Sequence, residues 1–379
     1  MASAEQENIW SETPTIYSSY ISRTLGCKAY LKLEYRSTYS HSFKYRGISH
    51  FVKWAQQKHG PNTHAIIASG GNAGLAAACA ANILGVKCTV YLPEGAAQNT
   101  IDLLEAQNAK VVIAGRFYAE AFKAAQEAAA SEEHAIGVPA YDHEVLWEGH
   151  ASIIDELAAQ LKAKPDAIFC SVGGGSMLGG ILVGCKKKGW DDVYVRTMET
   201  NGSDCFHYSV ALNRTSATDE PLHLPANVTV VQDEGTGLKL AHFHNFSSRA
   251  SGSLGASQPA AQVVKMALEY AGGVRTSSVP DALAVQACVR FADEHKVLVE
   301  LACGATLTAA YKPELFNELV PPRPGQNAAD RTVVFIVCGG FKVSLAEMEE
   351  YRKEVAADLT EGGSWDVLTD QGRVIRVEK

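Results

Sequence analysis

The chain has 379 residues, of which 46% are hydrophobic and 20% are charged, and its formal net charge is -8 at pH 7. This length is sufficient for two domains that share a cleft, and the acidic balance argues against a general surface for nucleic acid or anionic membrane. No apolar run reaches the roughly 18 residues that a membrane-spanning helix needs, and the first residues are polar. The composition therefore predicts a cytoplasmic protein, with neither nucleic acid nor membrane as a partner.

Nine cysteines are scattered along the chain, with no Cys-x-x-Cys pair among them. Zinc knuckles and secreted disulfide frameworks depend on closely spaced cysteines, so the pattern predicts reduced thiols and assigns no metal ligand. His242 and His244 could ligate a metal only together with further ligands, and surface histidines are the simpler interpretation.

The first half of the chain alternates apolar runs with helical patterns. The run that begins at Ala65 is followed by a glycine turn, an alanine-rich helical stretch and a second apolar run, KCTVYLP. The alternation repeats through KVVIAG and AEAFKAAQEAAASEE and ends near His143. Short strands that alternate with helices predict a parallel sheet covered on both faces, here in a compact smaller domain.

A second alternating set begins at Ala167, with a strand, a glycine turn that opens a helix, and a further strand at VYVRTM. Helical patterns at 260–271 and 282–295 and the apolar run VVFIVC complete a larger sheet. Residues 214–253 show no clear period, which is typical of a lid or a disordered loop. The polar tail predicts a hairpin around Asp370, with a role that the sequence does not indicate.

Two of these features carry chemistry. Lys44 lies between Phe43 and Tyr45, whose rings would desolvate the ammonium and lower its pKa, which leaves a nucleophilic amine. The glycines at 173–175 end a strand and open a helix, where backbone N–H groups can hold a phosphate. A Schiff-base lysine and a phosphate turn together indicate pyridoxal phosphate, whereas a plain strand-to-helix turn or a nucleotide-binding turn would leave Lys44 unexplained.

Seven short segments occur in order along the chain: Ser42–Gly47, Ala68–Gly74, Leu146–His150, Ser171–Ser176, Met198–Gly202, Val299–Ala305 and Val337–Gly340. From about residue 13 to about residue 351, this ordered set resembles the serine and threonine dehydratase family of pyridoxal-phosphate enzymes, fold type II. The resemblance implies an α/β fold of two domains, each a parallel twisted sheet flanked by helices, similar to the tryptophan synthase β subunit. It places a large cofactor-binding domain at 1–42 and 150–379, with 354–379 as a tail of unknown role. A small substrate-carboxylate domain is inserted at 43–149.

The resemblance also implies roles for particular residues. Lys44, beside Phe43 at the cofactor, would form the Schiff base and take the Cα proton of the substrate. Asn72 would bind the 3-hydroxyl of the cofactor, and Cys338, with Gly339, would be a neutral partner of its pyridine nitrogen. The cofactor phosphate would be bound by a turn of four residues: Gly173, Gly174, Gly175 and Ser176. The substrate carboxylate would be bound by one turn, whose serine also counts as catalytic: Ser69, Gly70, Gly71 and Asn72.

Three further residues are predicted near the site. Glu199 is interpreted as a catalytic pocket base or a group beside a metal, and Glu300 and Cys303 are placed on a strand-to-helix turn. Dehydratases of this type often bind a monovalent cation near such carbonyl-rich turns, so the resemblance allows potassium near Glu199 and Cys303, with no ligand assigned. A capping or solvated carboxylate is the alternative for each glutamate.

The implied activity is that of an ammonia-lyase, which performs α,β-elimination on L-serine, L-threonine or a related β-hydroxy amino acid to give a 2-oxo acid and ammonia. A homodimer is implied as well. One alternative is β-replacement or other side-chain chemistry on the same scaffold. A second, from another class, is a degenerate amino-acid-binding protein, against which the intact Lys44, Ser69 and Asn72 count.

Phe341 and Lys342 depart from the family pattern, since they replace a small polar pair that is usual in the dehydratases. Phe341 would narrow the pocket or stack on the cofactor ring. Lys342 would favour additional negative charge on the substrate if it points inward, and would be a solvated side chain if it reaches water along its stem.

Overall fold

The computed structural model describes residues 8–37, 39–214, 222–370 and 372–379. Its strands are β1 (Thr15–Tyr17), β2 (Lys28–Leu33), β3 (His64–Ala68), β4 (Lys87–Leu92), β5 (Lys110–Ile113), β6 (Ala135–Gly137), β7 (Ala167–Ser171), β8 (Tyr194–Thr200), β9 (Val228–Gln232), β10 (Lys239–Phe243), β11 (Val274–Val279), β12 (Thr332–Val337), β13 (Ser364–Thr369) and β14 (Val374–Glu378). Its helices are α1 (Ser19–Leu25), α2 (Lys44–His59), α3 (Asn72–Leu84), α4 (Gln98–Glu105), α5 (Tyr118–Ser131), α6 (Glu144–Gln160), α7 (Ser176–Lys188), α8 (Cys205–Arg214), α9 (Ser251–Leu254), α10 (Ala261–Glu269), α11 (Asp281–His295), α12 (Leu301–Tyr311), α13 (Pro313–Leu319) and α14 (Leu345–Glu361).

The larger sheet has the strand order β1-β2-β12-β7-β8-β11-β13-β14. Its inner strands, from β2 to β11, pair in parallel, while β1, β13 and β14 are added antiparallel at the two edges. The central strands β7 and β12 are largely apolar and buried because helices cover both faces of the sheet, and Phe169 stacks on Phe335 with ring centroids 4.6 Å apart. This sheet contains the predicted strands at AIFCSV, VYVRTM and VVFIVC.

The smaller sheet has the order β5-β4-β3-β6 and is parallel throughout. Helix α3 packs close to it because its buried positions are mostly alanine, glycine and cysteine. Both sheets are thus parallel and flanked by helices, as the sequence predicts. Helix α6 runs without a break across the boundary predicted at residues 149 and 150, and the exact domain limits stay a prediction.

Two segments differ from or extend the sequence prediction. Residues 214–253, expected to be a lid or a disordered loop, contain the hairpin of β9 and β10, which packs against α8 through buried Leu240, Ala241 and Phe243. Part of that segment, 215–221, lies outside the described residues. The hairpin predicted in the tail is confirmed, and β13 pairs with β11, so the tail extends the larger sheet.

Candidate active site

Turns at the carboxyl ends of strands from both sheets line one cavity of about 700 Å³. The turns follow β3, β4, β7 and β12, and the first residue of α2 and the segment 251–257 add to the wall. Carboxyl ends of parallel strands are where open α/β sheets bind ligands, and the volume is within the usual range for small-molecule sites. The cavity is therefore the candidate active site.

Lys44 begins α2 and directs its amine into this cavity. Nζ donates hydrogen bonds to the carbonyl oxygen of Ala140 at 2.8 Å and to Oγ of Ser176 at 3.3 Å, and it lies 5.1 Å from the centre of the Phe43 ring. Burial lowers the pKa of Lys44 to about 8, because a charged ammonium is poorly solvated there. The neutral, nucleophilic amine is thus accessible near neutral pH.

The start of α2 is held by buried polar and close-packed contacts. Arg46 donates to the carboxylates of Glu34 and Glu156, with Nε 2.7 Å from the Glu34 oxygen. On the other side, a Cβ on Gly47 would lie 2.4 Å from the His150 ring, so α2 and α6 cross closely only because glycine is present. Burial lowers the pKa of His150 well below its ordinary value, which keeps the ring neutral. These contacts position Lys44 and explain the Gly149-His150 segment as packing.

The glycine turn after β7 is closely packed and leaves backbone N–H groups outside the helical hydrogen bonds. Gly175 has a φ of 103°, and a Cβ on Gly174 would lie 2.2 Å from the Tyr141 ring. The Gly179 N–H to Gly175 carbonyl bond starts the ladder of α7, so the N–H groups of residues 176–178 precede it. Such a helix start favours an anion, and Ser176 adds a hydroxyl.

The turn after β3 faces the cavity from the other sheet. Gly71 N–H donates to Oγ of Ser69 at 3.3 Å, and Gly70 and Gly71 line the cavity without side chains. Asn72 starts α3; its Nδ2 donates to Glu300 at 3.2 Å, whereas its buried Oδ1 has no partner in the described part of the chain. An acceptor left unpaired in a buried site is available to a ligand hydroxyl.

Cys338 lies at the end of β12 beside a second thiol. Its Sγ is 3.2 Å from Sγ of Cys303 and accepts a weak hydrogen bond from Ser171 at 3.6 Å. The hydrogen bond between the two thiols, together with burial, raises the pKa of Cys303 well above its ordinary value. Gly339 follows with a φ of 79°, and a Cβ there would lie 2.2 Å from the His41 carbonyl oxygen.

Glu199 is not among the described residues that line the cavity. One carboxyl oxygen accepts from the Phe206 N–H at 3.0 Å, while the other is buried without a partner in the described part of the chain. Burial, then the charge of Asp204, raises the pKa of Glu199 well above its ordinary value. Cys303, which was expected near the same cation, contacts Cys338. The described residues contain no group of three or more His, Cys, Asp or Glu side chains that could hold a metal. A catalytic role for Glu199 stays a prediction without support from its placement.

Glu300 was expected near the site, but the sequence assigned it no contact with the residues that line the cavity. It is the N-cap residue of α12, although its side chain makes no capping hydrogen bond. The chain reaches it from α11, so the predicted strand-to-helix turn is wrong here. With 6% exposure it is not a solvated carboxylate. It accepts hydrogen bonds from Asn72, from the Ser253 hydroxyl and from the Lys342 N–H at 3.0 Å. An acidic residue at the start of an apolar, alanine-rich helix is the signal that could have indicated a buried carboxylate.

Comparisons with known proteins agree on the family. The family described as "Pyridoxal-phosphate dependent enzyme" matches residues 7–339. The human L-serine dehydratase/L-threonine deaminase is 36% identical over 355 residues, which cover 92% of this chain and 96% of the human protein. A mouse protein named serine dehydratase-like is 35% identical, covering 90% and 93% of the two chains.

Solved structures show the same relationship. The fungal L-serine ammonia-lyase from Rhizomucor miehei has a TM-score of 0.78 at 28% identity, and covers 92% of this chain and 99% of its own. Threonine deaminase isoform 2 from Solanum lycopersicum, in its processed form, has a TM-score of 0.74 at 20% identity, covers 91% of this chain and 88% of its own, and shows the shared fold. The chain belongs to the family of pyridoxal-phosphate dependent enzymes.

Proposed function

We propose that this protein is a pyridoxal-phosphate-dependent ammonia-lyase, which converts L-serine, L-threonine or a related β-hydroxy amino acid to a 2-oxo acid and ammonia. The observation that carries the proposal is the buried Lys44 amine, with its pKa of about 8, in one cavity with a glycine turn and the Cys338 thiol. The names of the relatives, which are serine dehydratases and threonine deaminases, support the same chemistry.

The residues present fit the cofactor. The turn at Gly173, Gly174 and Gly175 would hold the phosphate, since the N–H groups of residues 176–178 precede the hydrogen-bonded ladder of α7. The unpaired Oδ1 of Asn72 would accept from the 3-hydroxyl. Ser176 would add a donor at the phosphate, and Phe43 would pack beside Lys44.

Bound pyridoxal phosphate supplies an electron sink for the electron pair released when the Cα–H bond of the substrate breaks. Lys44 would carry the proton: its amine accepts it from Cα, which needs the neutral form that burial favours. Cys338, with Gly339 behind it, would present an uncharged thiol to the pyridine nitrogen. A neutral partner weakens the sink and favours rapid loss of a β-hydroxyl.

The turn of Ser69, Gly70, Gly71 and Asn72 would bind the substrate carboxylate at the start of α3. The first hydrogen bond of α3 joins the Leu75 N–H to the Gly71 carbonyl, so the N–H groups of residues 72–74 make no helical hydrogen bond and can face an anion. Holding the carboxylate there would direct Cα–H toward Lys44, which is the positioning that proton transfer needs.

β-Replacement is the second candidate, because Phe341 and Lys342 line the cavity and change it from the pattern of the dehydratases. Assays of purified holoenzyme decide between the two. Ammonia together with pyruvate from L-serine, or with 2-oxobutyrate from L-threonine, is expected. A β-substituted amino acid formed only with an added nucleophile would establish replacement, and binding without turnover would establish an amino-acid-binding protein.

Lys44 is tested directly by borohydride reduction of the holoenzyme followed by peptide mapping. Reduction makes the link between the lysine and the cofactor permanent, and the label is expected on Lys44. Lys44→Ala should remain folded by circular dichroism and lose the label. A label on any other lysine would refute the assignment.

Three finer points belong to the proposal. A monovalent cation such as potassium would bind near Glu199, where one carboxyl oxygen and the Ser203 hydroxyl are buried without partners in the described residues. A higher melting temperature in potassium than in tetramethylammonium chloride, absent in Glu199→Gln, would support it. We also propose a homodimer, to be measured by light scattering, and a cytoplasmic location. No described helix is long and apolar enough to cross a membrane.

A further inference from the structure

Lys342 is a cation at the cavity that the proposed chemistry does not use. Among the described residues, the charged side chains that line the cavity are Lys44 and Lys342, and no aspartate or glutamate accompanies them. Lys44 is committed to the cofactor under the proposed function. Lys342 is therefore a positive charge without an assigned task at the wall of the substrate space.

Two glycines from different elements define where the Lys342 ammonium lies. A methyl group built on Gly71 would be 3.6 Å from Nζ, and one built on Gly252 would be 4.0 Å from it. Gly71 belongs to the turn before α3, whereas Gly252 belongs to α9. The ammonium thus lies where these two walls of the cavity approach each other, beside the turn proposed to bind the substrate.

The main chain holds Lys342 in this place. Its N–H donates to Glu300 at 3.0 Å, and Gly340, two residues before it, has a φ of 147°, a conformation that favours glycine. A Cβ on Gly340 would also lie 2.0 Å from the Glu300 carboxylate. Because the segment cannot shift without losing these contacts, the stem of Lys342 starts from a defined point on the wall.

No described carboxylate pairs with the ammonium. Its Nζ makes no ion pair and no hydrogen bond within the described residues, and the Glu300 carboxylate, which lines a smaller neighbouring cavity with Lys342 and Glu347, accepts instead from three neutral donors, the Lys342 N–H among them. An unpaired ammonium at the wall of a cavity without acids attracts an anion. The turn before α3 already offers N–H groups to the α-carboxylate, so a second acidic group on the substrate is the anion that remains.

We propose, on the basis of the ammonia-lyase function above, that Lys342 recognises a second carboxylate of the substrate. The preferred substrate is then a β-hydroxy amino acid with an acidic side chain. The reaction balances without an oxidant: the Cα–H and Cβ–O bonds break, the hydroxyl leaves as water, and one water hydrolyses the released enamine. The products are a 2-oxo dicarboxylic acid and ammonia.

Steady-state rates of the holoenzyme on L-serine, L-threonine and the threo and erythro forms of L-3-hydroxyaspartate measure the preference. The wild type should have its highest kcat/KM on one of the dicarboxylates. Lys342→Met keeps the length of the stem and removes the charge; it should lower that kcat/KM about 10- to 100-fold, the range for a hydrogen bond to a charged group, and change L-serine less than about twofold. Lys342→Arg should retain most of the preference.

L-Aspartate and L-alanine lack the β-hydroxyl, so their dissociation constants test recognition without turnover. The Lys342→Met variant should lose affinity for aspartate alone. Equal losses on serine and hydroxyaspartate would assign the ammonium to the α-carboxylate, and no loss on either would leave it solvated; both results overturn the proposal. If no substrate gives an oxo acid, the ammonia-lyase function fails, while the comparison of aspartate with alanine still decides the role of Lys342.

Discussion

Glu300→Gln is the substitution that most sharply tests how the site is organised. A carboxylate can only accept hydrogen bonds, and Glu300 accepts from three donors, the side chains of Asn72 and Ser253 and the main chain of Lys342. It therefore makes the Asn72 amide present its NH₂ to Glu300 and turn its oxygen toward the proposed cofactor 3-hydroxyl. Glutamine has one oxygen and one NH₂, so its NH₂ would face at least one of these donors unless the Asn72 amide or the Ser253 hydroxyl turned to accept from it.

The magnitude follows from the burial of the group. Glu300 is 6% exposed, so an unmade hydrogen bond there is not replaced by bulk water. Losing one charge-assisted hydrogen bond and leaving one donor unpaired should together cost about 2 to 4 kcal/mol of unfolding free energy. If Asn72 is one of the residues that lose their hydrogen bond, its amide is no longer held in one orientation, and cofactor affinity should fall about 10-fold or more.

Urea unfolding of the apoprotein and titration with pyridoxal phosphate, followed by absorbance, measure the two effects separately. Glu347→Gln is the matched control, because Glu347 accepts from the Tyr351 hydroxyl and is not a hydrogen-bond partner of Asn72 in the described part of the chain. It should leave cofactor affinity unchanged. A Glu300→Gln protein that is less stable but binds the cofactor like the wild type would show that Glu300 supports the fold and does not orient Asn72.

Three further outcomes are expected. Gly174→Ala puts a Cβ 2.2 Å from an aromatic ring and should weaken cofactor binding at least about 10-fold, whereas Gly235→Ala, whose Cβ would have its nearest neighbour at 3.6 Å, should bind normally. The rate at which the apoprotein reacts with pyridoxal phosphate should rise with pH through a midpoint of about 8 as Lys44 loses its proton, and a midpoint above 10 would contradict its desolvation. Arg46→Met leaves the buried Glu34 carboxylate without its ion-pair partner, while Glu156 keeps Lys32; it should cost about 3 to 5 kcal/mol in urea unfolding, while the exposed Arg376→Met should cost less than about 1 kcal/mol.

Local patterns were sufficient for the fold class and for the central chemistry. The alternation of apolar strands and helices depends on neighbours in sequence, so it predicts the strands at residues 65, 167 and 332 that the structure contains. The signals for the proposed nucleophile and the proposed phosphate turn are equally local: Lys44 has its desolvating neighbour Phe43 beside it, and the glycines at 173–175 follow directly on a strand. The polar composition of 214–253 concealed the hairpin of β9 and β10, because its buried face is defined by packing on α8.

Only the tertiary structure decided which distant residues meet. Glu300 and Asn72 are 228 positions apart, and their contact depends on how the two sheets face one cavity. The sequence left the direction of Lys342 open between the cavity and solvent, and its position beside Gly71 follows from the glycine turn after β12. Propensity and periodicity reflect only the local environment of each segment. A site between two sheets depends on strand order and on the connections between strands, which bring together residues that no local pattern connects.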